Sequence, residues 1–239
     1  MIANIERKVT SFSVKFRYTF NIKENTCMTM AKKKEKAASA EEPLKLFYIF
    51  YNQERWDNWI KTLRESNFEA DPKSEEMPEG YTTLYNFSMD ITLSVLKIIK
   101  LFQNGRYTKE EAIEKLNAVE AIVMCEAPED DLEEYIESLQ LSLLALFASC
   151  RKFLDGGYQS DIKTLVKDGR KIVEKDMEKA LDIAADIGAS VIGGASCCGK
   201  YVKDDIEQPT LFDEWLIEIE SMAEAVASLK NFDEEAGET

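Results

Sequence analysis

From Pro43 onward, apolar side chains return every third or fourth position through one segment after another, the spacing that lines one face of a helix. That pattern predicts an all-α chain of about seven helices, an irregular bundle or array in antiparallel hairpins around one core, with a poorly ordered N-terminal extension. All five prolines, Pro43, Pro72, Pro78, Pro128 and Pro209, fall between the periodic segments, where a missing N–H does no harm. The chain divides into an N-terminal extension (1–42), one helical domain (43–232) and an acidic tail (233–239).

Each helix carries its own start or stop signal. Trp56, Trp59, Ile60 and Leu63 follow Asn52, which reads as a helix cap. Leu84 to Phe102 form a second stripe that should stop at Asn104 and Gly105, and Thr108 with Glu111 reads as the capping box of a third helix through Val123. The short link predicts that the second and third helices form a hairpin. Pro128 and the acids Glu129, Asp130 and Asp131 open the most hydrophobic segment, which runs through Phe153 to Gly156 and Gly157. From Ile162 to Val191 the stripe continues as one long helix or as two joined near Lys175. Its small residues Gly169, Ala180, Ala184 and Gly188 would let a neighbour approach closely. The last helix starts at Thr210 with Asp213; Phe212, Trp215, Ile219, Met222, Val226 and Leu229 fit a packed bundle helix better than a coiled-coil seam, since the stripe covers fewer than three heptads.

Residues 12–22 differ from the rest, alternating Phe12, Val14, Phe16, Tyr18, Phe20 and Ile22 with polar residues, a strand pattern without a partner strand. Either this segment adds to a partner's sheet edge, or it is a disordered or mis-annotated extension ahead of a start at Met28 or Met30.

A net charge of −15 disfavours nucleic acid, whose phosphates are bound by Lys and Arg, and favours a basic protein or a cation. The longest nearly apolar stretch, Leu139 to Ala148, is interrupted by Gln140 and Ser142 and falls short of the roughly 20 residues a span requires, so no membrane role is expected. Five cysteines without paired spacing indicate no disulfide framework and a cytoplasmic setting.

With no histidine, Ser-His-Asp and Cys-His catalysis and histidine-containing zinc or di-iron sites are excluded. The sharpest local oddity is the segment from Gly188 to Tyr201. Gly194, Gly199 and Lys200 have the spacing of a phosphate-binding loop, but Tyr201 stands where a Ser or Thr should meet magnesium, and a helix rather than a strand precedes. The vicinal Cys197 and Cys198 are candidate metal or redox thiols; Cys125 and Cys150 sit in helical patterns, where cysteine is core. Carboxylate pairs such as Asp130 with Glu134 and Asp182 with Asp186 read as solvated helix faces. Trp56 and Trp59 are candidate partner anchors, set against the more common core role at this spacing.

With these residues in view, the region from about Leu46 to Phe232 resembles an uncharacterised archaeal domain family found in methanogens and halophiles. The segments carrying the resemblance are F-Y-N-Q-E-R-W-D-N-W-I at 50–60, G-R-Y-T-K-E-E-A at 105–112, A-D-I-G-A-S-V-I-G-G at 185–194 and E-W-L at 214–216. The resemblance implies an archaeal, acidic, cytoplasmic protein and carries over no activity or site. Taken together, the sequence predicts a non-enzymatic adaptor without a cofactor, whose acidic helical surface binds another protein, a basic one fitting the charge. The alternative is a redox or iron–sulfur protein centred on Cys197 and Cys198.

Overall fold

Seven helices follow one another in the computed structural model, which describes residues 51–70, 77–196, 201 and 209–236, with side chains through 229. They are α1 (Gln53–Glu65), α2 (Glu79–Gln103), α3 (Lys109–Val123), α4 (Glu133–Asp155), α5 (Ile162–Ile172), α6 (Met177–Ile192) and α7 (Leu211–Ala236). Among the described residues there is no strand. The alternating segment at 12–22 lies outside the described residues.

Local chemistry sets the helix boundaries. The Asn52 side chain accepts from the Arg55 N–H and starts α1. Thr108 and Glu111 exchange both bonds of the capping box at α3. At the end of α4, Gly156 takes φ +75°, a conformation in which a side chain would be strained. The stripe from Ile162 to Val191 is two helices, broken at 173–176 around Lys175, with Asp176 restarting the chain by accepting from the Lys179 N–H. Thr210 and Asp213 cap α7 reciprocally, the Thr210 N–H donating to Asp213 Oδ2 at 3.0 Å.

A single cluster of buried residues runs through all seven helices. α2 and α3 pack together across their short link, as do α3 and α4. The pairs Lys109–Asp155 and Arg151–Glu120 show that α3 and α4 run antiparallel. α4 packs on α2, α3, α6 and α7, and α7 on α2, α4, α5 and α6, so these two helices form the centre. Phe212, Trp215, Leu216, Ile219 and Met222 are all fully buried on α7, each contributing about 2 kcal/mol of apolar burial.

The small residues of α5 and α6 set the helix spacing there. A Cβ on Gly169 would lie 2.0 Å from Phe212 Cζ, and one on Gly188 would lie 2.0 Å from Ser149 Oγ. Ala180 and Ala184 are fully buried on the same side of α6.

Candidate functional site

Four of the seven residues in the opening stretch of α7, from Phe212 to Glu218, are apolar, as expected inside a bundle, but the burial goes further and takes in charge. Asp213, Glu214 and Glu218 are all buried. Glu214 and Glu218 are one turn apart and therefore share a face. That face lines a half-open cleft between α2, α4 and α7, with about 590 Å³ of unfilled space including the solvent at its mouth. Leu84 and Met89 from α2, Leu139 from α4 and Ile217 from α7 supply apolar walls. Ser138 and Ser142 from α4 and Ser221 from α7 supply hydroxyls.

Glu218 is 6% exposed. The Thr92 hydroxyl, from α2, donates to its Oε1 at 3.1 Å. Burial pushes the Glu218 carboxyl up to about 7, with the Thr92 hydrogen bond holding it down only in part. Tyr85 of α2 also lines the cleft; burial first and then the charges of Glu224 and Glu218 raise its hydroxyl. Among the described residues, no lysine or arginine forms an ion pair with Glu218.

Asp213 and Asp186, also buried, are each matched by a cation. Arg170 Nε donates to Asp213 Oδ1 at 2.8 Å, while its Nη2 donates to the Tyr201 carbonyl at 2.7 Å. Lys152 lies 3.4 Å from Asp186 and donates to Asp182 at 2.5 Å. The pair Asp182 and Asp186 is therefore not a solvated face throughout. Asp186 is 5% exposed, because α4 places Lys152 opposite it. Asp130 does stay near solvent, accepting from the Leu132 N–H and from Arg64; those bonds, in that order, lower its carboxyl.

The sequence-derived candidates lie elsewhere. Trp56 is 4% exposed, packed against Phe87, and Trp59 stacks on Phe87 while its Nε1 donates to Asp90 at 2.7 Å. Gly194 lies just past the C-terminal end of α6, beside a groove with Leu96, Ile99 and Leu229. That end of a helix carries partial negative charge, which favours cations over phosphate. Gly199, Lys200, Cys197 and Cys198 lie outside the described residues. Cys150 is fully buried in α4, and Cys125 sits just beyond the end of α3 rather than within it. Burial raises both thiols above their ordinary value. Among the described residues no group of three or more His, Cys, Asp or Glu side chains is placed to hold a metal ion.

Sequence reasoning missed Glu214, Glu218 and Thr92. Glu214 and Glu218 flank Trp215 and Ile219 at a spacing of four, a signal that the buried face of α7 is wider than its apolar stripe.

The four segments that resemble an archaeal family all fall inside one matched region. A family described as an uncharacterised protein conserved in archaea (DUF2150) covers residues 49–235. The chain belongs to this family. The match contains all seven helices but for the last residue of α7, and therefore the whole cleft. Neither a curated protein nor a solved structure matches the chain.

Proposed function

We propose that the domain is a non-enzymatic interaction module that docks a basic partner protein on its acidic helical surface, centred on the cleft at Glu214 and Glu218. One observation carries this reading: among the described residues, Glu218, buried at the cleft, has the Thr92 hydroxyl as its only hydrogen-bond donor, while Asp186 and Asp213 each meet a cation. A carboxylate held out of water without a counter-charge is costly, and a partner's cation would offset that cost. The net charge of −15 extends the attraction beyond the cleft and would speed encounter with a basic surface. The setting that fits is the reducing cytoplasm. No helix among the described residues is long and apolar enough to cross a membrane.

Affinity capture from native archaeal lysate tests the reading. At low salt the wild-type chain should recover a defined basic protein, and raising the salt should release it, because exposed charges are screened within about 10 Å at 0.1 M. Recovery of the same proteins as the bare matrix, or of a partner indifferent to salt, would count against it.

A further inference from the structure

We infer that the cleft between α2, α4 and α7 binds an alkylammonium group, its cationic head at Glu218 and its aliphatic stem along Leu84, Leu139 and Ile217. The inference rests on the cleft being a binding surface, as proposed above, and adds the chemistry of the group it takes.

Three features of the cleft converge on that chemistry. Glu218 lines it while more than nine-tenths buried, and its one hydrogen bond from a described residue goes to Oε1, leaving Oε2 to accept. Ser142 Oγ donates to the Leu139 carbonyl at 2.9 Å, and Ser221 Oγ donates to the Ile217 carbonyl at 3.3 Å. Both serines thus commit their protons to their own helices, and their oxygens remain as acceptors. An ammonium head carries three donors and no acceptor, which matches such a lining. A phosphate or carboxylate would bring negative charge beside Glu218 and lone pairs opposite lone pairs. A hard metal ion takes six or more oxygen ligands, whereas the walls here are largely aliphatic and suit a hydrocarbon stem.

The same group occurs on a free amine and on a lysine side chain, and a titration of the full chain separates the two. With methyl-labelled methionine, Met89 reports from the cleft wall and the exposed Met177, at the start of α6, serves as the reference. Adding n-butylammonium should shift the Met89 methyl saturably and leave Met177 in place, while n-butanol, of the same shape without the charge, should do neither. Glu218→Gln should weaken the amine by about tenfold or more, the loss of one charge-assisted contact. Should that variant fail to fold, Ser142→Ala provides a milder test, with an expected weakening of about threefold. A capped lysine peptide binding more tightly than n-butylammonium would assign the group to a protein; equal binding would assign it to a free amine.

A Met89 methyl that never saturates, or a Glu218→Gln chain that binds as tightly as wild type, overturns the inference. Capture of a basic protein equally by wild type and Glu218→Gln, without amine binding, would sink the site and leave the interaction role. Amine binding without any basic protein captured would do the reverse.

Discussion

Asp213 and Glu218 lie little more than one turn apart on α7, both buried, and the chain treats them in opposite ways. Asp213 caps its own helix through Thr210 and receives Arg170 from α5. Glu218 receives a hydroxyl from α2 and nothing cationic among the described residues. The first arrangement closes the charge inside the fold and fastens α5 and Tyr201 to α7. The second leaves a carboxyl whose charge is disfavoured by burial and which a cation would stabilise. Burial of an acid therefore has two meanings here, and the presence of an internal cation distinguishes them.

Breaking the closed side should produce the largest effect. Arg170→Met removes the cation and leaves the buried Asp213 charge with its Thr210 hydrogen bonds but no counter-charge, so urea unfolding should show a loss of about 3 kcal/mol, the cost of an uncompensated buried charge.

The open side should behave in the opposite sense. Folded, Glu218 keeps its proton up to about 7, whereas unfolded it titrates at its ordinary value of 4.5. Between those values the folded state holds more protons, so stability should fall as pH rises through that window and level off above it. Glu218→Gln should remove the decline and, at pH 8, leave the variant more stable than wild type by about 3 kcal/mol in urea unfolding. Equal pH dependence in the two proteins would erase the contrast.

Thr92→Val sharpens it further. Losing the hydroxyl should cost about 1 kcal/mol above neutral pH and carry the Glu218 decline to higher pH, seen in the same unfolding series. The smallest effect is expected at Asp182, an exposed partner of Lys152. Asp182→Asn should change stability by less than about 0.5 kcal/mol, because Lys152 keeps Asp186 and exposed pairs contribute little.

Local features of the fold were legible in the sequence because each rests on residues close together in the chain. The Thr108 and Glu111 box, the stop at Gly156 and the break around Lys175 all follow from side chains within a few positions of the boundary they set. Gly169 and Gly188 could be read as close-approach points, although Phe212 and Ser149, which fill the space, could not be named. The site was not legible for the same reason in reverse. Thr92 stands 126 residues from Glu218, and Lys152 reaches Asp186 across two helices, so which acid is closed and which is open depends on helix pairing. Periodicity placed Trp215 and Ile219 inside, but not the glutamates between them and the cleft.

Among the described residues, Glu218 is an acid buried without a cation. Carbon-detected NMR of side-chain carboxyl-labelled glutamate, with Glu218 assigned by its disappearance in Glu218→Gln, follows that one carboxyl directly. A midpoint of about 7 in the free chain, falling when n-butylammonium is added, is the expected result. A midpoint in the ordinary carboxylate range, unmoved by the amine, would contradict the account.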